Sequence, residues 1–182
     1  MLIRVKHSCL LVVDIQEKLL GAMHDGDVVI HNVGILLQAA GRLEVPVVAS
    51  EQYPQGLGPT VDAVAEYFPD ASGSPVSKLA FSCAADQGYM DRLLPFKRKQ
   101  AVIMGIEAHV CVLQTALELI DEGYFCFVVA DAVSSRTPEN LMLALERMKA
   151  NGCEIVTTEM VLFEWLRAVE TDESKELCKL VR

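Results

Sequence analysis

The amino-acid sequence predicts a three-layer α/β fold, a doubly wound arrangement in which a six-stranded parallel sheet lies between two layers of helices. Short apolar runs alternate with longer segments of helical periodicity along the whole chain. The runs are apolar almost throughout, which is typical of parallel strands covered on both faces. No linker, repeat or low-complexity tract divides the 182 residues, so we expect a single domain over residues 1–182. The common strand order for such a sheet is 3-2-1-4-5-6.

Six apolar runs are the predicted strands. They cover residues 9–13, 45–49, 76–79, 101–105, 125–130 and 154–157. Pro46 lies at the start of the second run, where the missing backbone donor is tolerated. The third run is the weakest of the six.

Helical periodicity fills the intervals between these runs. The predicted helices cover residues 28–43, 84–94, 110–122, 138–150, 159–168 and 174–181. Gly123 closes the third helix, while Thr137 and Pro138 provide the cap and the first position of the fourth. The Pro- and Gly-rich residues 52–60 predict a loop, and a helical turn or two is expected at 61–67.

Composition and charge argue against several classes of function. The net charge is −9, whereas non-specific nucleic-acid binding requires a basic patch. The one short basic cluster, residues 97–99, is interpreted as a solvated loop. The first apolar run is broken by Asp14, so we predict no signal sequence. No segment approaches the ~20 apolar residues of a membrane span, and neither a nucleic-acid nor a membrane partner is expected.

The six cysteines predict a reducing, cytoplasmic location and one reactive thiol. No two of them form a C-x-x-C pair, which leaves zinc ribbons and thioredoxin-type sites unsupported. Five are interpreted as structural thiols that act as small hydrophobes; these are Cys9, Cys83, Cys126, Cys153 and Cys178. Cys111 differs, because it lies where a strand turns into a helix. The positive end of the helix dipole favours a thiolate there.

The predicted topology brings Asp14 and Cys111 toward one crevice. Strands one and four are neighbours at the switch point of the sheet, and ligands bind there at the carboxyl ends of the strands. Asp14 ends the first strand and Cys111 follows the fourth. By itself, an aspartate at a strand end is also typical of a helix cap or turn. Lys78 has apolar neighbours, which favours a buried cation in need of a carboxylate, and Asp14 is the candidate partner.

Four segments in register carry a resemblance to a known family. They are residues 11–16 (LVVDIQ), 50–54 (SEQYP), 77–78 (SK) and 105–112 (GIEAHVCV). In order, spacing and context, over essentially the whole chain, the sequence resembles the isochorismatase-like cysteine hydrolases. Each motif alone is weak, but the four together are fairly specific.

This resemblance implies a catalytic triad of Asp14, Lys78 and Cys111. It also implies a cis peptide between Ile106 and Glu107, just before the nucleophile. The backbone N–H groups of Glu107 and Cys111 are the implied oxyanion hole. The segment 131–136 (DAVSSR) also resembles the family's segment after strand five, and we interpret its role as largely structural.

The sequence departs from the nicotinamidase branch of that family, whose members carry an Asp-x-His metal site and further histidines after strand two. Residues 50–58 contain no histidine, and the four histidines of the chain are scattered without ligand spacing. We therefore expect no metal and no cofactor, and nicotinamide is put in doubt as a substrate. The true isochorismatases cleave a vinyl ether and do not all rely on the cysteine, so Cys111 favours amide chemistry. The closest resemblance is to metal-free members, whose substrates are often unassigned.

Four further residues are candidates for the substrate pocket. Glu51, Gln52 and Tyr53 line it if the family pattern holds, whereas an ordinary Tyr-Pro turn explains the same residues equally well. His109 either touches substrate or faces solvent or an interface near the helix start, and we favour the latter.

The function predicted from these residues is hydrolysis of a small amide or related C–N bond in a small-molecule substrate, through a thioester on Cys111. One alternative is a thiol-based redox or stress protein that uses the same activated cysteine. Another is a silent binding or scaffold protein that kept the fold and lost the activity.

A homo-oligomer, a dimer or a larger assembly, is predicted from the apolar residues of the final third. Met142, Leu145 and Met148 share one helix face, and residues 160–166 are apolar on more than one side. The sole tryptophan, Trp165, lies in this stretch, and Trp is enriched at interfaces. Burial of the helix within the monomer is the alternative.

Overall fold

In the computed structural model, which describes residues 1–181, six parallel strands form one sheet. The strands are β1 (Ser8–Val13), β2 (Val47–Gln52), β3 (Val76–Lys78), β4 (Gln100–Ile106), β5 (Phe125–Ser134) and β6 (Glu154–Val156). Their order is β3-β2-β1-β4-β5-β6, and every neighbouring pair is parallel. The predicted fold class and strand order are confirmed.

Helices connect the strands. They are α1 (Glu17–Leu20), α2 (Gly26–Arg42), α3 (Pro54–Leu57), α4 (Asp62–Ala65), α5 (Gln87–Leu93), α6 (Leu113–Asp121), α7 (Pro138–Ala150), α8 (Thr158–Leu166) and α9 (Asp172–Leu177). Short 3-10 turns lie at Val5–His7, Asp70–Ser72, Leu94–Phe96 and Cys178–Val181, and a π-helical turn at Ala108–Val112 leads into α6. No helix among residues 1–181 is long and apolar enough to cross a membrane.

The alternation of side chains along β1 divides the core between the two faces of the sheet. Leu10 and Val12 pack with α2, α8 and α9 on one face. Cys9, Leu11 and Val13 pack with α5, α6 and α7 on the other. Both sets are apolar because a central parallel strand is covered on both sides.

Several element boundaries differ from the sequence prediction for identifiable reasons. The helix expected to start at residue 84 begins at Gln87, because the Asp86 side chain caps it by accepting from the N–H of Tyr89. The Pro- and Gly-rich loop contains the short helix α3. The strand expected to end at residue 130 runs on to Ser134, since a register shift at Ile103–Gly105 restores its pairing with β4.

Trp165 is not an interface residue, and that part of the prediction is wrong. It is only 4% exposed and packs in the core on the α2 side of the sheet, together with Val161 and Leu162. Its indole N–H donates to the Ser8 hydroxyl at 3.2 Å, which gives the buried indole N–H its partner. Met160 and Phe163, on the same helix, are exposed.

Candidate active site

Asp14 stands at the carboxyl end of β1, at the switch point of the sheet. Its backbone adopts a left-handed conformation, with φ of 49°, and its N–H donates to the Ser50 carbonyl at 3.2 Å. The residue is fully buried. This turn takes the chain out of the sheet and leaves the carboxylate between β2 and β4, where the order of connections reverses.

Lys78 ends β3 and places a buried cation against this carboxylate. Its Nζ lies 2.7 Å from Asp14 Oδ2 and 2.8 Å from Gln52 Oε1. The carbonyls of Phe81 and Ala80 accept from the same ammonium at 2.9 and 3.1 Å. Both charged side chains are completely buried. A buried ammonium needs this ring of acceptors to replace water.

A second chain of contacts reaches the other carboxylate oxygen. The Ser50 hydroxyl donates to Asp14 Oδ1 at 2.7 Å, and the Cys83 thiol lies 3.3 Å from Ser50 Oγ. Both oxygens of Asp14 therefore have donors. All three side chains are buried.

Cys111 lies in the π-helical turn that follows β4 and is 4% exposed. Burial raises the pKa of its thiol well above the usual range, and the negative charge of Asp14 raises it further. Lys78 offsets part of this shift, while a hydrogen bond to Asp14 favours the protonated thiol. Burial and the charge of Asp14 together outweigh Lys78, so the net direction of the shift favours the protonated thiol. The site pairs a thiol with a carboxylate that can take its proton.

The backbone before Cys111 is tightly confined. A Cβ on Gly105, whose φ is 123°, would lie 2.1 Å from the carbonyl oxygen of Val13, so only glycine fits between β4 and β1. The peptide bond between Ile106 and Glu107 is cis. The Glu107 carbonyl accepts from the N–H groups of Val110 and Val112 at 3.1 and 3.2 Å, which fixes the start of the helical turn.

Arg136 holds the Glu107 carboxylate by two contacts, Nε to Oε1 at 2.7 Å and Nη2 to Oε2 at 3.2 Å. The Glu107 carboxylate is nearly buried, and the guanidinium is exposed. Hydrogen bonding to Glu107 raises the pKa of Arg136. The pair links the end of β5 to the segment that carries the candidate oxyanion donors.

The four residues predicted for the pocket have different surroundings. Gln52 is nearly buried and binds Lys78 rather than lying free for substrate. Glu51 accepts from the N–H and hydroxyl of Thr60 at 2.6 and 2.8 Å, and so tethers the loop. Tyr53 is half-exposed. His109, expected at solvent or an interface, lies with Nδ1 3.0 Å from the Ser135 hydroxyl.

The segment 131–136 makes mostly structural contacts. Asp131 Oδ1 accepts from the N–H and the hydroxyl of Thr158, at the start of α8. The Ser134 hydroxyl donates to the carbonyl of His24. Two residues of the segment contact the site: Arg136 through Glu107, and Ser135 through His109.

Three residues of this arrangement were not predicted from the sequence as parts of the site, namely Ser50, Cys83 and Arg136. Ser50 is the first residue of the segment 50–54 that carries the family resemblance, so the sequence held a signal for it. Cys83 carried no signal, because the sequence does not show that the loop after β3 folds back over Asp14. Among residues 1–181, no three His, Cys, Asp or Glu side chains are grouped as metal ligands.

The six-stranded parallel sheet in this order, with helices on both faces, matches the three-layer α/β fold of isochorismatase-like proteins. A model described as "Isochorismatase domain" matches residues 8–160, and the chain belongs to the isochorismatase family. It is 38% identical over 178 residues to the "Secreted isochorismatase effector Isc1" of Phytophthora sojae, across 96% of this chain and 84% of that protein.

Two solved structures extend the comparison. The "MAR1 Ribonuclease" of Caenorhabditis elegans superposes with a TM-score of 0.92 at 34% identity, covering 100% of this chain and 92% of that one. The Escherichia coli YcaC gene product superposes with a TM-score of 0.90 at 25% identity, over 99% of this chain and 90% of that one. The latter is described as an octameric hydrolase of unknown specificity.

Proposed function

We propose that this chain is a cysteine hydrolase that cleaves a small amide or a related C–N bond, with Cys111 as nucleophile. The observation that carries the proposal is the buried thiol of Cys111 beside the Asp14–Lys78 ion pair. A thiol alone is a weak nucleophile at neutral pH, and an adjacent base activates it. Membership of the isochorismatase family supports hydrolase chemistry.

The proposed reaction has two steps. Asp14 takes the thiol proton of Cys111, and the thiolate attacks the carbonyl carbon. The oxyanion is held by the N–H groups of Glu107 and Cys111. When the C–N bond breaks, Asp14 returns the proton to the departing amine. Asp14 then takes a proton from water, whose oxygen attacks the thioester carbonyl. The C–S bond breaks, the acid is released, and the Cys111 thiolate recovers the proton from Asp14, which restores the starting thiol and carboxylate. Lys78 holds Asp14 in place through their 2.7 Å ion pair.

Exposed apolar side chains beside the site favour substrates with an apolar group. Leu79 is 76% exposed and Phe81 is 53% exposed, and Tyr53 is half-exposed on the adjacent loop. Their backbone is held firmly, because the Leu79 carbonyl accepts from Gln52 Nε2 at 2.8 Å and the Phe81 carbonyl from Lys78. We call residues 53, 79 and 81 the apolar rim. A fixed apolar rim suits an aliphatic or aromatic acyl group.

RNA is a poor fit as a substrate, although one similar structure carries the name of a ribonuclease. The net charge is −9. The basic residues 97–99 precede β4, at the amino end of the sheet and away from Cys111. Arg98 donates to the carbonyls of Val5 and Ser8, and Lys99 donates to that of Glu122 and lies over the Tyr124 ring. These contacts are structural.

A panel of primary amides, with ammonia release as the readout, tests the proposal. Wild-type protein should turn over at least one amide, and Cys111→Ala should abolish the turnover. Cys126→Ala is the matched control, since Cys126 is also buried but donates to the Ala116 carbonyl away from the site. Turnover that survives Cys111→Ala would remove Cys111 from the mechanism. Peroxide-dependent oxidation of Cys111 without amide turnover would favour the redox alternative, and neither reaction would favour a silent binding protein.

We also propose that the chain is cytoplasmic and forms a homo-oligomer. All six cysteines are free thiols, which supports the proposed cytoplasmic location. The octameric YcaC gene product supports the proposed homo-oligomer.

A further inference from the structure

Two buried side chains behind the catalytic carboxylate have no part in the mechanism above. Ser50 lies at the end of β2 and Cys83 in the loop after β3. They form a line with Asp14, from Cys83 Sγ to Ser50 Oγ at 3.3 Å and from Ser50 Oγ to Asp14 Oδ1 at 2.7 Å. All three residues are buried, with at most 1% of their surface exposed.

The donor and acceptor in each of these two hydrogen bonds can be assigned from the protons that the three groups carry. An ionised carboxylate only accepts, so the single proton of the Ser50 hydroxyl must point at Asp14. Cys83 can then meet Ser50 only by donating its S–H to the oxygen lone pair. Burial raises the pKa of the Cys83 thiol to about 11, which keeps it a donor throughout the physiological range.

Cys83 is held in place from the nucleophile's own helix. Its backbone N–H donates to Thr115 Oγ1 at 2.9 Å. Thr115 lies on α6, one turn beyond Cys111 in the same continuous helical segment. The position of Cys83 is therefore coupled to the position of Cys111, because the same helical segment holds both.

We propose that Ser50 and Cys83 form a positioning relay that stabilises ionised Asp14 and sets the lowest pH at which it can accept the Cys111 proton. Ser50 is the direct donor, and Cys83 fixes the orientation of its hydroxyl. The proposal rests on the base role of Asp14 in the proposed function. A donor to the charged form of a carboxylate opposes its protonation, so losing this donor moves the active range to higher pH.

Three other titratable side chains face Asp14, and all three are retained in the Ser50 and Cys83 variants. Lys78 faces it from β3 and Cys111 from the helical turn. Tyr89, on α5, is buried, donates to the Val48 carbonyl at 3.2 Å and has its pKa raised well above the usual range, so it stays neutral. A shift in the pH profile of a Ser50 or Cys83 variant therefore reports the relay.

The rate of Cys111 alkylation by iodoacetamide, followed against pH by mass spectrometry, is the test. It needs no substrate and remains informative even if no amide is ever turned over. In wild type the rate should fall on the acid side as Asp14 becomes protonated. Ser50→Ala should move this acid limb up by about one pH unit. Cys83→Ala should move it by roughly half as much, while Cys83→Ser, which keeps a donor, should restore the wild-type profile. Cys126→Ala is the control for loss of a buried thiol.

Three outcomes would overturn the relay. The first is a folded Ser50→Ala protein with an unmoved acid limb. The second is an acid limb at the same pH in Cys83→Ala and Cys83→Ser. This result would overturn the relay even if Ser50→Ala fails to fold. The third is a wild-type profile with no acid limb. Absence of amide turnover together with a shifted limb would instead reject the proposed function and keep the relay.

Discussion

At the scale of single residues, Asp14 and Lys78 depend on each other. Both side chains are completely buried, and the 2.7 Å contact between them offsets the cost of removing two charges from water. A buried pair of this kind adds little net stability, but removing one partner is costly because the other charge is left uncompensated. The pair is therefore a structural unit, and in the proposed mechanism the two residues also act together.

Asp14→Asn and Lys78→Ala should each lower amide turnover by about 10³-fold or more, as expected for residues that act together. Both variants should remain folded but lose about 3–5 kcal/mol of stability, because Asp14→Asn leaves the Lys78 ammonium, and Lys78→Ala the Asp14 carboxylate, buried without its charged partner. Kinetics with thermal melting separates the two effects. Lys175→Ala, which breaks the exposed pair with Asp172, is the control and should change neither. A near-normal rate in Asp14→Asn would exclude Asp14 as the base.

At the scale of elements, the contact between β1 and β4 shapes the site. Gly105 allows the two backbones to approach at the level of Val13, one residue before Asp14. Gly105→Ala should cost more than about 3 kcal/mol, since it combines a backbone clash with an unfavourable φ. Gly123→Ala is the matched control: its φ is 78° but nothing lies within 4 Å, so it should cost only about 1 kcal/mol. Equal losses in urea unfolding would contradict this account.

The loop after β3 carries the second prediction at this scale. Phe81→Ala should lower kcat/KM for hexanamide about tenfold and leave that for acetamide nearly unchanged, because only the longer acyl chain reaches the apolar rim. Phe125→Ala is the control, since Phe125 is equally exposed, at 52%, but begins β5 at the opposite end of the sheet. An equal loss for both amides would assign Phe81 a structural role.

The sequence predicted elements better than the contacts between them. The strands and their order followed from apolar runs and a topology rule, because a buried parallel strand must be apolar on both faces. The burial of Lys78 was likewise expected from its neighbours. The sequence did not predict the contact of Cys83 with Ser50 or that of Arg136 with Glu107. Each contact joins two segments that come together only through the folded path of a loop. The prediction for Trp165 was wrong because the sequence of an apolar helix is the same whether the monomer's own core or a partner covers it.

At the scale of the whole molecule, buried thiols make stability sensitive to alkali. Burial raises the pKa of Cys9, Cys83 and Cys153 from 9.0 to about 11, and raises those of Cys111 and Cys126 further. The unfolded chain loses these protons first. The stabilisation is complete below about pH 9 and is lost as the pH rises toward and through the folded values, by ~1.4 kcal/mol per thiol and pH unit.

Urea unfolding between about pH 8 and about pH 10 checks this dependence. Cys126→Ala should make the fall of the unfolding free energy with pH less steep, because one buried thiol no longer contributes to it. Val128→Ala, which truncates the buried neighbour two residues along β5, should lower stability equally at every pH. A wild-type stability that does not fall above about pH 9 would contradict the prediction.

Assembly is the other property of the whole molecule. With Trp165 in the core, the exposed apolar side chains on the last two long helices are Met160 and Phe163 on α8 and Met142 and Leu143 on α7. We expect sedimentation at micromolar concentration to show a homo-oligomer, and Phe163→Lys to weaken it. A single species near 20.0 kDa for wild type would show that these side chains are simply solvated.

The burial of Trp165 gives the molecule a built-in optical signal. It is the only tryptophan in the chain, and its N–H is bound to Ser8 at the first residue of the central strand β1. Fluorescence excited selectively at the indole therefore comes from one place, where α8 packs against the sheet. A red shift of this emission on denaturation marks the separation of α8 from β1. The emission therefore reports, without any added label, whether the C-terminal part of the chain is packed against its first strand.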